Sequence, residues 1–177
     1  MTRRRAAAAF LAACSCFASI GISSAGSEKT GAKPRPGSHS AWDAMTSLVG
    51  EWEGRDEQGH AKRAQYRLVS NGTVLMETLD SSEDTEMVTL YSLDGDRLVM
   101  THYCSIGNQP RMSAKTGADP ARIEFEFQDA TNLSSPATGH MTGLVVIRKD
   151  AGHFAQRWTF SEAGKAQTEV FEFARRK

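Results

Sequence analysis

The side chains able to do chemistry crowd into one short segment. From Asp94 to Met112 the chain reads DGDRLVMTHYCSIGNQPRM and holds His102, Tyr103, Cys104, Asn108, Gln109 and Arg111. His102 and Cys104 are two residues apart. On a strand they share a face with Leu98 and Met100. Such a pair suggests either metal ligation or a thiol with a helper base. Zinc requires three or four ligands, and His140 and His153 add no ligand-spaced cluster, so no metal is expected. Side chains two apart on a strand stand about 6.5–7 Å apart, too far for a direct thiol–imidazole hydrogen bond. A small buried Cys104 beside a cavity-facing His102 is the reading that remains.

The loop residues suggest a different chemistry. Asn108 and Gln109 offer both donors and acceptors, and Arg111 offers a planar fork suited to a carboxylate or phosphate. Pro110 holds Gln109 extended. The group fits two jobs: a polar clamp on a ligand, or a loop that satisfies its own backbone and ties neighbouring strands together. Tyr66, Met76, Met87, Met100, Met112 and Met141 either line a flexible apolar cavity or form ordinary core. There is no Gly-rich phosphate loop, no Ser-His-Asp order and no paired catalytic carboxylates, and no catalytic residue is assigned.

These residues must be positioned by strands. Runs with strand character are expected at about 51–55, 62–70, 73–79, 86–93, 97–104, 111–115, 122–128, 141–148, 153–160 and 167–174. Turn signals such as Asn71-Gly72, Asp94-Gly95 and Ala163-Gly164 divide them. Ile123, Phe125 and Phe127 alternate with Glu124, Glu126 and Gln128, giving one dry and one wet face. Phe154, Gln156, Trp158 and Phe160 alternate in the same way with His153, Arg157 and Thr159. About ten short strands predict an all-β antiparallel fold, closed or nearly closed into a barrel, because closure removes exposed edges. One short helix is expected from Ser40 to Gly50, with Ser40 and Asp43 as a capping box and Trp42, Met45, Leu48 and Val49 on its docking side. The segment 129–139 is the longest gap between strands and is expected to be a lid or mobile loop.

The N-terminus carries processing signals. Arg3, Arg4 and Arg5 precede an uncharged small-residue run ending at Ser23-Ser24-Ala25, the pattern of a secretory signal over residues 1–25. Leu11-Ala12-Ala13-Cys14 also resembles a lipobox, which would anchor the protein to a membrane through Cys14. Residues 26–40, rich in Gly, Ser, Pro and Lys, read as a disordered linker before a single domain at 41–177. Once the three signal arginines are gone, eighteen basic residues face 21 acidic ones, a net charge of −3. That balance excludes the electrostatic footprint of nucleic-acid binding. Cys104 is then the one remaining thiol, so no internal disulfide forms.

Gly50-Glu51-Trp52, opening the first strand behind a short helix, resembles the G-x-W motif of lipocalins and the wider calycin barrels. The resemblance implies that Trp52 closes one barrel end beneath a basic side chain from a late strand, here Arg157 or Arg175. Gly50, Trp52 and Trp158 are its structural residues. The strand count is similar to that of nitrobindin-like and fatty-acid-binding-type barrels. The nitrobindin side of the resemblance implies haem as the alternative to no cofactor at all, with an axial histidine that is not assigned among His102, His140 and His153. The HYC-x-x-GNQPRM segment resembles an uncharacterised family of short exported bacterial proteins. Together these features predict a periplasmic or secreted β-barrel that holds a partly apolar small molecule, with His102, Tyr103, Cys104, Asn108, Gln109, Arg111 and Met100 as binding residues. Two alternatives stand beside it. One is a barrel-type enzyme using His102, Tyr103 and Arg111. The other is a structural envelope protein whose strands 86–104, apolar on both faces, make a homodimer contact.

Overall fold

A computed structural model describes residues 36–81, 85–117 and 119–177. The signal segment, Cys14 and residues 26–35 of the expected linker lie outside the described residues. The described chain begins with a helix, α1 (Pro36–Thr46). Ten strands follow: β1 (Gly50–Asp56), β2 (Ala61–Val69), β3 (Val74–Ser81), β4 (Glu86–Asp94), β5 (Arg97–Tyr103), β6 (Gln109–Ala114), β7 (Arg122–Thr131), β8 (His140–Arg148), β9 (His153–Glu162) and β10 (Lys165–Arg175). Every strand pairs antiparallel with its sequence neighbour, and β1 pairs with β10, so the sheet closes into a barrel. The expected all-β closed barrel with one short helix is the observed fold.

The alternation read from sequence builds the wall. In β7, Ile123 and Phe125 are buried, while Glu124 and Glu126 face outward and pair with Lys115. Between β2 and β3, Ser70, Asn71 and Gly72 form a single tight turn with Asn71 at φ 56° and Gly72 at φ 83°. Asn and Gly tolerate this left-handed backbone better than other residues. The β6–β7 register slips between Arg111 and Met112. The bulge follows Pro110, which cannot donate to a ladder and is tolerated beside such an irregularity.

One end of the barrel is stoppered. Ala41, Ala44, Met45 and Leu48 bury against the core, and the helix reaches β4 and β5. Trp52 Nε1 donates to Leu48 O at 2.7 Å. The Arg175 guanidinium lies 4.1 Å from the Trp52 ring centre and donates to Val49 O and Ser47 O at 2.8 and 3.0 Å. Of the two basic residues named for this role, Arg175 fills it and Arg157 does not. Gly50 is required here: its φ is +135°, and a Cβ would sit 2.6 Å from Arg175 Nη1. The helix itself differs from expectation. It starts at Pro36, inside the stretch read as linker, and ends at Thr46. Ser40 is therefore a helix-interior residue and not a cap. Pro at the start of a helix costs nothing, because its missing N–H would be unpaired there anyway.

Candidate functional site

The opposite end carries the β1–β2 turn, the β5–β6 and β7–β8 loops and the β9–β10 turn. His102, near the end of β5, points inward and is 1% exposed. Its Nδ1 lies 2.9 Å from Thr89 Oγ1 on β4, the residue directly across the ladder. Its ring lies 4.6 Å from the Trp158 ring on β9, tilted by 42°. Its Nε2 is buried and has no hydrogen-bond partner among the described residues. Burial pushes the imidazole pKa down to about 4, so it is neutral at ordinary pH.

Beneath His102 is a layer of polar side chains that the sequence reading did not assign to a site. Glu77 on β3 is 0% exposed. Its Oε2 accepts the Tyr91 hydroxyl at 2.6 Å, and its Oε1 accepts from Gln156 Nε2. Gln156 Nε2 also donates to Tyr66 Oη at 2.7 Å, while Gln156 Oε1 accepts from Trp158 Nε1 at 3.0 Å. An indole N–H can only donate, so Trp158 fixes which way the Gln156 amide points. Burial raises the Glu77 carboxyl above its ordinary range, and the donors from Tyr91, Gln156 and Tyr66 only partly offset this. Burial, reinforced by the charge on Glu77, holds both tyrosines well above their usual value.

A signal for this layer exists in the sequence. Glu77 falls on the inward parity of Leu75 and Leu79, and Gln156 on that of Phe154 and Trp158. A strand that puts a polar side chain on its dry face must find it a partner inside.

The other expected site residues scatter. Met100 is buried core. Cys104 is free and half-buried just past β5, and it is not on the inner wall with His102. Tyr103 points out and is 46% exposed. Arg111 is also on the outer face, where it clasps Asp129 across the β6–β7 ladder with Nε and with Nη2, the latter at 2.7 Å. A clamp through Tyr103 and Arg111 is therefore corrected: strand parity turns both away from the barrel interior that receives His102. The trio named for a barrel-type enzyme, His102, Tyr103 and Arg111, is not brought together on one face.

Asn108 and Gln109 act as ties. Asn108 Nδ2 donates to Gly139 O at 2.8 Å, and Gln109 Oε1 accepts from Thr131 Oγ1 at 2.6 Å. Asn132 Nδ2 adds a bond to Gly107 O at 2.6 Å. The 129–139 segment is thus partly strand, since β7 runs to Thr131, and the rest is pinned to the β5–β6 loop.

Space for a guest lies at this open end. A cleft of about 370 Å³ is lined by Gln58, Met141, Trp158, Phe160, Gln167, Thr168 and Glu169. Trp158 is common to the cleft and to the His102 layer. Deeper in, the barrel is filled: Met100, Met112, Phe125, Leu144 and Phe154 are all 3% exposed or less. A haem-sized macrocycle would have to displace several of these side chains. A larger groove of about 610 Å³ runs over β1, β2 and β10 on the outer wall. Part of its charged rim is paired internally, Lys149 with Glu172 and His153 with Asp150.

No family model and no curated protein matches this chain. Among solved structures it is similar to the crystal structure of Rv2717c from M. tuberculosis, with 15% sequence identity and a TM-score of 0.54, over 82% of this chain and 100% of that one. At that identity the likeness shows the closed barrel fold alone.

Proposed function

We propose that this protein is an exported barrel that binds a partly apolar small molecule at its open end, between the β9–β10 hairpin and the β8 edge. One observation carries the reading: a buried, unpartnered imidazole nitrogen on His102 lies one aromatic side chain, Trp158, behind a cleft of mixed polar and apolar lining. A buried polar atom without a partner costs about 1–3 kcal/mol. A ligand that satisfied it while covering Met141, Trp158 and Phe160 would recover that cost along with apolar burial. The opposite end is stoppered by α1, Trp52 and Arg175.

Export is the second half of the proposal and rests on residues 1–25 alone. Native mass spectrometry of the full-length gene product purified from its own host tests both halves. The expected result is a mature chain beginning at Gly26, with an added small-molecule mass that is lost on unfolding. Introducing Met141→Arg should abolish that mass while leaving the barrel folded. A ligand-free spectrum from the host protein would overturn the binding reading. A lipid-modified chain beginning at Cys14 would replace the soluble export route with an anchored one.

A further inference from the structure

The open end of the barrel holds three charged side chains on inward-facing positions. Asp56 closes β1 on the parity of Trp52. Lys62 shares the inner parity of β2 with Ala64 and Tyr66, and Glu169 shares that of β10 with Phe171 and Phe173. Two carboxylates therefore face one ammonium.

The ammonium does not serve both equally. Lys62 Nζ lies 3.4 Å from Asp56 Oδ2 and 3.7 Å from Glu169 Oε1. It also lies 4.9 Å from the centre of the Phe171 ring. Asp56 has closer donors of its own: the amides of Gln58 and His60 at 3.0 and 2.8 Å, and the His60 ring at 2.9 Å. The Glu169 carboxylate has the Lys62 contact alone among the described residues, and 3.7 Å is beyond hydrogen-bond reach.

Glu169 also stands where a guest would. It is the ladder partner of Trp158, and Gln167 is the ladder partner of Phe160. All four line the cleft of about 370 Å³, and Glu169 is the one charged residue in that lining among the described residues. The cleft thus sets a carboxylate short of a donor beside an aromatic wall. Each half of that arrangement selects a cation. A carboxylate can only accept, and it bonds an ionised donor more strongly than a neutral one. Aromatic faces attract cations through the ring quadrupole.

A buried atom at this end has the same need for a donor. Asn108 Nδ2 donates to Gly139 O, a carbonyl that can only accept, so the amide orientation is fixed and Oδ1 is an acceptor. It has no donor among the described residues. Gly139 in turn packs on the Phe160 ring so closely that a Cβ would not fit.

We propose that the open-end cleft takes an organic amine in its protonated form, whose ammonium pairs with Glu169 while its apolar body covers Met141, Trp158 and Phe160. This rests on the small-molecule reading and gives the guest its charge. A carboxylate guest is the disfavoured class, because it would meet two acids and have to displace one of them from Lys62.

Calorimetry on the full mature chain tests the class with three probes of one body. Phenethylamine carries an ammonium, phenethyl alcohol a neutral hydroxyl and hydrocinnamate a carboxylate. At about pH 8 an alkyl amine is protonated and a carboxylic acid is ionised. Wild type should favour phenethylamine over phenethyl alcohol by at least about tenfold, the worth of one charge-assisted hydrogen bond. Hydrocinnamate should bind weakest. Glu169→Gln keeps the shape, removes the charge and should erase the preference. Glu172→Gln removes the same charge from the outer wall, where Lys149 pairs it, and should keep the preference. The two side chains are 45% and 55% exposed, so neither change disturbs the core.

Equal binding of amine and alcohol, tighter binding of hydrocinnamate, or loss of the preference in both variants overturns the amine class and leaves the small-molecule reading standing. A preference that survives in Glu169→Gln overturns the pairing. Binding of none of the three probes overturns this proposal, and the mass spectrum of the host protein then decides the small-molecule reading by itself.

Discussion

At the scale of single residues, parity on one strand decides what His102-Tyr103-Cys104 can do. An inward His102 forces an outward Tyr103, and the strand ends before Cys104 can return to the inner wall. Arg111 follows the same logic on β6, so its charge meets Asp129 in solvent. Arg111→Ala should change folding stability by no more than about 1 kcal/mol, the usual worth of an exposed ion pair. It should leave the ligand mass seen in native spectra unchanged. Loss of the ligand in this variant would restore the clamp at the barrel mouth. Trp158 is different, because its N–H is the donor that orients Gln156. Trp158→Phe should destabilise by about 1–3 kcal/mol through the buried acceptor left unpaired. Denaturant unfolding reads this directly, and a neutral result would mean that Gln156 finds another donor. The chemistry of the His102 segment was visible in the sequence as residue types. Which of them face inward became clear only once strand parity and strand ends were known.

At the scale of elements, all ten strands were legible to within a few residues, because a half-buried wall must alternate dry and wet. The helix start was not. Its first turn is made of Pro36, Gly37 and Ser38, poor helix formers whose composition matches a linker, and tertiary docking of Met45 and Leu48 overrides that weak preference. The bulge beside Pro110 was equally hidden, since register depends on the partner strand. Closure is the least local feature of all. It needs β1 to meet β10, more than 100 residues away, and Gly54 shows how tightly they meet. A Cβ at Gly54 would land on the Glu172 carbonyl and the Phe173 ring. The carbonyl is backbone and cannot swing aside. Gly54→Ala should therefore cost at least about 1–3 kcal/mol, in the range of overpacked sites. It should also raise amide exchange selectively along β1 and β10. Uniform exchange along the whole barrel would show that the seam had absorbed the methyl.

At the scale of the whole molecule, the barrel has a largely apolar core with titratable groups buried in it, and its stability should record that. His102 has its folded pKa lowered by burial from 6.5 to about 4. Its contribution is complete above 6.5 and is lost as pH falls toward 4, on the order of 3 kcal/mol. Glu77 has the opposite sign. Burial raises it above 4.5, so its contribution is complete below 4.5 and is lost as pH climbs through its folded value. Asp56 acts at the acid extreme. Burial works against its ionised form, but the His60 amide and ring and the Lys62 ammonium win and lower it to about 2. Its contribution is therefore lost as pH falls from 3.8 through about 2. Above 4.5, and up to whichever is lower of 6.5 and the folded Glu77 value, the two interior groups oppose each other and flatten the wild-type curve. His102→Phe should remove one slope, so that acidifying through this window increases stability. Glu77→Gln should remove the other, so that the same acidification costs more than in wild type. The readout is slope and not level, so a uniform penalty from either substitution does not obscure it. Three parallel curves would mean that neither group titrates inside the folded barrel, and would remove the physical basis for a polar, proton-bearing interior.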